Sequence, residues 1–220
     1  KVKWMLNYHF SEINDKWYKS LFNDLDGISG DITPAYSILE INDIKKMYML
    51  APNAKIVFIL RNPIDRALSH LKFYHQIRDI DINDLSYEEI KLFLDDENQC
   101  LRSDYLKTIE NYCQVFSKSN ILIGFYDAII DQPYDFLFKI VDFIGGDTSK
   151  LMCANLENRT NVSRENIISS DIKSYVINKY TEQIKQLSLK FGGYCEKWEN
   201  QLDNIEIKDI SYAPCITMEA

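Results

Sequence analysis

The sequence predicts an α/β layered domain on a parallel sheet, and three observations predict it. Two short apolar runs, at 55–60 and 121–126, are partly β-branched. Runs of that kind suit strands buried on both faces of a parallel sheet. Each is followed by a segment whose apolar residues recur at helical spacing, and alternation of strand and helix is the pattern of a layered α/β domain.

The elements follow in order. Residues 17–22 read as a short amphipathic helix, after which Gly27 and Gly30 break the chain ahead of Asp31-Ile32-Thr33-Pro34. Residues 41–50 read as a helix with Ile41, Ile44, Met47 and Leu50 on one face. The first strand, 55–60, stops at Arg61-Asn62-Pro63. Asparagine is a good helix N-cap and proline a good first helical residue, so a helix is expected from 63 to about 78. The acidic stretch 79–97 reads as a mobile excursion. Residues 103–116 look helical, with Tyr105, Ile109, Tyr112 and Phe116 on one face. After the second strand comes a helix at 134–144, closed by Gly145-Gly146. A long helix spans 169–191. The tail after Trp198 reads as an edge strand or as loose chain.

The 220 residues, 46% of them hydrophobic, are enough for one sizeable core. A single domain over 1–200 is expected, followed by a tail at 201–220. No apolar run is long enough for a membrane span, and no secretory segment opens the chain. The net charge of −8 argues against nucleic acid as a partner. Any anionic ligand must therefore be held by a local group of positive charges and backbone N–H donors. Five cysteines without C-x-x-C spacing read as reduced thiols in a cytoplasmic protein, not as a zinc site or disulfide framework. His70 and His75 do not share a helix face well, so no metal site is expected.

Ligands of open parallel sheets bind beyond the carboxyl ends of the strands. Arg61 falls at such an end, next to a helix N-terminus with free N–H groups and a positive dipole. Ser69 lies two turns into that helix. Arginine grips phosphate as a fork, and a serine hydroxyl adds a donor. The residues alone leave a second reading open, in which Arg61 pairs with a carboxylate such as Asp65 and Ser69 is a neutral helix residue.

The segment Arg61-Asn62-Pro63-Ile64-Asp65-Arg66-Ala67-Leu68-Ser69 closely resembles the R-[ND]-P-x-x-R-A-x-S block of sulfotransferases that use 3′-phosphoadenosine 5′-phosphosulfate (PAPS). Three further blocks agree in order. Gly30-Asp31-Ile32-Thr33-Pro34-Ala35-Tyr36 resembles G-E-x-[ST]-P-x-Y. Phe125-Tyr126-Asp127-Ala128-Ile129, with Asp131-Gln132-Pro133, resembles Y-E-D-L…x-x-P. Arg159-Thr160-Asn161-Val162-Ser163, with Phe191-Gly192 and Trp198, resembles the C-terminal N-x-S loop and closing helix. The resemblance covers about residues 5–198 and is nearest the bacterial and heparan-type branch. It implies a three-layer parallel sheet with flanking helices, of the P-loop nucleotide-kinase type. It implies PAPS as donor and adenosine 3′,5′-bisphosphate (PAP) as product. Arg61 and Ser69 would contact the 3′-phosphate, and the loop bearing Arg159, Asn161, Ser163 and Arg164 would close over it and the adenine side.

Sulfuryl transfer resembles phosphoryl transfer. The acceptor attacks in line, charge grows on the leaving nucleotide, and catalysis is positioning plus electrostatic stabilisation. A base must take the acceptor's proton. The heparan-type branch uses the glutamate of K-E-x-H-F-F; here Leu6-Asn7-Tyr8-His9-Phe10-Ser11 stands in its place, and the amide of Asn7 cannot be a base. His9 is the nearest titratable substitute and Asp31 the next. Their plainer readings are a packed aromatic and a turn or capping residue. The family's P-K-[SG]-G-T-T loop, which cradles the 5′-phosphosulfate, has no counterpart before Trp4. The expectation is that the numbering begins after that strand and loop.

Two rivals keep the fold. One is a degenerate sulfotransferase that only binds nucleotide or a partner. The other is a P-loop kinase using ATP and magnesium. The acceptor class expected is a glycan or small molecule, and the lack of an evident basic patch favours a small or neutral one. No metal is required.

Overall fold

The computed structural model describes residues 2–22, 26–153, 156, 168–203 and 212–218. The chain opens with helices α1 (Val2–Phe10) and α2 (Asp15–Ser20). Asn14 caps α2, its side chain accepting from the Trp17 backbone N–H. A 3-10 turn at Pro34–Ile38 precedes α3 (Ile41–Leu50), which has the bounds its apolar spacing predicts.

Strand β1 (Ile56–Leu60) then leads into α4 (Pro63–Gln76). The buried stripe of α4 is Pro63, Ala67, Leu71 and His75, one residue per turn. His75 is a core histidine, with Nδ1 2.9 Å from the Leu71 carbonyl oxygen.

The stretch 79–97, expected to be a mobile excursion, is instead built. It contains a 3-10 turn at Ile82–Asp84 and helix α5 (Tyr87–Asp95). The reason is local. Ser86 and Glu89 form a capping box, and Ile90 and Leu94 bury one face against α4 and α10 (Ser170–Phe191). Helix α6 (Glu97–Leu101) follows, capped by Asp96. Helix α7 (Tyr105–Cys113) buries Tyr105, Thr108, Ile109 and Tyr112.

Strand β2 (Ile121–Phe125) is buried at every residue, as expected for a central strand. Helices α8 (Tyr126–Asp131) and α9 (Pro133–Phe143) come next. Gly124 in β2 lies directly under the Phe136 ring; a Cβ there would meet Phe136 Cε2 at 2.8 Å, so only glycine admits the ring. The stripe Ile172, Val176, Tyr180, Ile184 and Leu187 of α10 packs on α4 and on α11 (Gly193–Leu202). Gly192 and Gly193, at φ +58° and +53°, reverse the chain between α10 and α11, a conformation that costs glycine little.

Strand β3 (Cys215–Thr217) completes a sheet of order β1-β2-β3. β1 and β2 are parallel, from Ile56↔Ile121 to Leu60↔Phe125. β2 and β3 are antiparallel, with Ile123 opposite Ile216. Two expectations are corrected. The described sheet is mixed, not wholly parallel, because a three-residue edge strand running antiparallel joins the ladder without the helical crossover a parallel one needs. β1 is not buried on both faces: it pairs only with β2 among the described residues, and Ile59 is 48% exposed.

Candidate active site

The site begins where the parallel pair ends. Leu60 and Phe125 are the last register partners, so Arg61 and Tyr126 leave the sheet side by side. The Arg61 guanidinium lies over the Tyr126 ring, 4.7 Å from its centroid. The turn is closed by Asn62, whose Oδ1 accepts from the Ile64 N–H at 3.0 Å. Proline at the first position of α4 donates no N–H, so the cap serves the next residue. The Arg61 carbonyl accepts from the Tyr105 hydroxyl at 3.0 Å.

Arg61 is half-buried and, among the described residues, forms no ion pair, with Asp65 or any other carboxylate. The carboxylate-partner reading therefore has no support among the described residues. What remains is a guanidinium resting on an aromatic face beside a capped helix N-terminus. Ser69 lies on the side of α4 away from the buried stripe, flanked by exposed Asp65 and Phe73 one turn either way. Its hydroxyl makes no hydrogen bond among the described residues.

Arg66 has a different task. Its Nε donates to Ser103 Oγ at 2.6 Å, Nη2 to the Gln99 carbonyl at 3.1 Å and Nη1 to Gln99 Oε1 at 3.4 Å. The His70 Nδ1 lies 2.6 Å from the same Gln99 Oε1, which requires the proton on Nδ1. Gln99 and Ser103 are 2% and 0% exposed, so this is a buried polar bracket fixing α4 against α6. Burial and the nearby Arg66 charge hold the His70 pKa below its ordinary value, though the Gln99 contact works the other way. Only the position of Arg66 in a motif, not its partners, is visible in the sequence.

His9 and Asp31, the two candidates for proton transfer, make no contact with each other among the described residues. His9 sits exposed in the last turn of α1, edge-on to Tyr8 at 5.1 Å and to Phe10 at 6.4 Å. Asp31 is exposed but held by three hydroxyls: Thr33 donates to Oδ1 at 2.8 Å, and Tyr36 and Tyr18 donate to Oδ2 at 2.5 and 3.4 Å. Burial, with Asp31 adding to it, raises the pKa of the Tyr36 phenol well above its ordinary value, so it stays a donor. The Asp31 segment is in turn anchored on α7, where Tyr112 donates to the Tyr36 carbonyl at 2.9 Å and Thr108 to the Ser37 carbonyl at 2.7 Å.

Asn7 joins α1 to α2. Its Nδ2 donates to Ser20 Oγ at 2.7 Å, its carbonyl accepts from Trp17 Nε1 at 2.9 Å, and its Oδ1 accepts from Ser11 Oγ at 2.9 Å. Arg159, Asn161, Ser163 and Arg164 lie outside the described residues. Among the described residues no group of three or more His, Cys, Asp or Glu is arranged to hold a metal. Among them, no helix is long and apolar enough to cross a membrane.

Comparison with known proteins identifies the family and the fold. Residues 42–212 match the family described as the sulfotransferase domain, a span that holds Arg61 and Ser69 and begins after His9 and Asp31. Mouse heparan sulfate glucosamine 3-O-sulfotransferase 6 is 22% identical over 147 residues, covering 59% of this chain and 39% of its own length. The chain thus spans well under half the length of that curated relative. A crystal structure of a sulfotransferase from Alicyclobacillus acidocaldarius superposes with a TM-score of 0.50 at 18% identity, over 91% of this chain and 75% of that one. At that identity the likeness is one of fold. With most of its length matched, the chain belongs to the sulfotransferase domain family.

Proposed function

We propose that this domain transfers a sulfuryl group from PAPS to a hydroxyl or amine of a glycan or small-molecule acceptor. The observation that carries the reading is Arg61: a guanidinium with no carboxylate partner among the described residues, at the carboxyl end of a parallel strand and against a capped helix N-terminus. A dianionic 3′-phosphate is the ligand that such a donor set suits. In this reading Arg61 grips that phosphate as a fork and the Ser69 hydroxyl adds a third donor. Arg159, Asn161, Ser163 and Arg164 close over it. PAPS supplies the sulfuryl group and departs as PAP. The same reading carries the three-layer, P-loop kinase-type architecture, with the parallel β1–β2 pair as its support. The free thiols of Cys100, Cys113, Cys195 and Cys215 support a reducing, cytoplasmic setting.

For the base, the hydrogen bonds favour Asp31 over His9. Three hydroxyls fix the Asp31 carboxylate, whereas His9 has only ring contacts on an exposed helix end. A carboxylate oxygen held in place can receive the acceptor's proton as attack begins. Asp31→Asn keeps the size and one accepting oxygen. It should lower turnover by about 100-fold while leaving PAP affinity unchanged. Wild-type turnover in Asp31→Asn, with loss in His9→Ala, would move the role to His9.

A second reading keeps the nucleotide and drops the chemistry, and Asn7 favours it, because a structural amide stands where the heparan-type base would be. Calorimetry with PAP and with ATP tests the reading. Micromolar binding of PAP and much weaker binding of ATP, which has no 3′-phosphate, is the expected result. Preference for ATP would favour a kinase. PAP binding with no turnover of PAPS on any acceptor would favour the degenerate reading.

A further inference from the structure

We infer that Tyr105 is a positioning residue for the donor site, setting the place from which Arg61 reaches its phosphate. The inference rests on the proposed role of Arg61.

The β1–β2 ladder ends at Leu60↔Phe125, and the Arg61 carbonyl is the first past the end of β1. A half-buried carbonyl needs a donor, and the one it has comes from 44 residues away: the Tyr105 hydroxyl, at 3.0 Å. The peptide plane is rigid, so fixing this oxygen fixes the Arg61–Asn62 peptide unit. It thereby fixes both the Arg61 Cα and the start of α4 at the Asn62 cap. Tyr105 is well placed to do this. It is 7% exposed, and it sits in the first turn of α7, which Asp104 caps by accepting from the Lys107 N–H at 3.2 Å. Burial pushes its phenol up to about 12, so the hydroxyl keeps its proton at any physiological pH.

The same face of α7 carries two more side-chain donors. Tyr105, Thr108 and Tyr112 follow at intervals of three and four, the spacing of one helix face. Tyr105 binds the donor turn; Thr108 and Tyr112 bind the carbonyls of Ser37 and Tyr36, in the segment that bears Asp31. One rigid helix face thus holds both the phosphate-binding turn and the candidate base segment, and sets the separation between them. Arginine's fork is directional, so a shift of its Cα weakens a bidentate grip more than it would weaken a point charge.

The test is a double-mutant cycle read by calorimetry with PAP, on wild type, Tyr105→Phe, Arg61→Ala and the double variant, with Tyr112→Phe as control. Tyr105→Phe keeps the ring in the core and removes only the hydroxyl; thermal unfolding shows that each variant is folded. Tyr105→Phe is expected to weaken PAP binding about tenfold. In the Arg61→Ala background the same change should cost less than about twofold, because it acts through Arg61. Tyr112→Phe loses an equivalent bond on the same helix and should leave affinity within about twofold of wild type. An equal loss in both Arg61 backgrounds, or an equal loss from Tyr112→Phe, would mark a general structural effect and overturn the inference. Wild-type affinity in Tyr105→Phe, with loss in Arg61→Ala, overturns the inference alone. Failure of wild type to bind PAP, or full affinity in Arg61→Ala, overturns the donor reading and takes the inference with it.

Discussion

Arg61→Ala should weaken PAP binding by about 100-fold, the loss of a bidentate, charge-assisted pair of hydrogen bonds to a dianion. In a chain of net charge −8 no general positive field replaces it. The stability cost should be small. Arg61 has no ion pair among the described residues, and its stacking on Tyr126 is a partly exposed cation–π contact. Unfolding should therefore shift by less than about 4 °C. Arg61→Lys restores the charge but not the fork and is expected to recover only part of the affinity. The measurement is the PAP dissociation constant beside a thermal scan. A variant that binds as wild type does would remove Arg61 from the donor site. A variant that unfolds would show that its main task is structural.

Trp198→Ala should be among the most destabilising single changes in the chain. Trp198 is fully buried in α11, edge-on to Phe125 at 6.1 Å, and its Nε1 donates to Asp127 Oδ2 at 3.1 Å. Deleting the indole opens a cavity beside the carboxyl end of β2, at a cost of about 3–5 kcal/mol. It also removes the donor from Asp127, whose carboxyl burial already holds above its ordinary pKa. Against a total stability of about 5–15 kcal/mol, that is a large fraction. The melting temperature should fall by about 10 °C or more. Trp198→Phe refills most of the space but not the hydrogen bond, and its loss should be clearly smaller. Urea or thermal unfolding of the two variants checks this. A Trp198→Ala melting point within about 2 °C of wild type would mean that neither cavity nor carboxylate matters to the folded state.

The two residues divide what this region does. Arg61 and Trp198 stand near the carboxyl ends of the same parallel pair, one half-buried and one in the core. Tyr126 lies under the first and Phe125 against the second. Adjacent residues at the end of β2 and the start of α8 thus pack against different partners, Phe125 against Trp198 and Tyr126 under Arg61.

Much was legible before any coordinates. Helix α3, strands β1 and β2, the cap at Asn62 and the long helix α10 follow from apolar period and capping residues, which act over a few positions of the chain. The places of Arg61 and Ser69 in the fold, at a strand end and within α4, were legible for the same reason: strand, turn and helix are one local unit. The capping box Ser86–Glu89 was equally local, and attention to it would have found α5 inside the acidic stretch. Other features depend on which distant groups meet. The antiparallel direction of β3 depends on ladder bonds to a strand about ninety residues earlier. The bracket of Arg66, Gln99, His70 and Ser103, the tether at Asn7 and the Tyr105 clamp on Arg61 each depend on a partner chosen by packing. Side-chain hydrogen bonds leave no period in the sequence, since one donor and one acceptor suffice at any separation. The sequence by itself therefore determined the elements and the strand–turn–helix unit that carries Arg61, and only the tertiary structure decided which groups hold that turn in place.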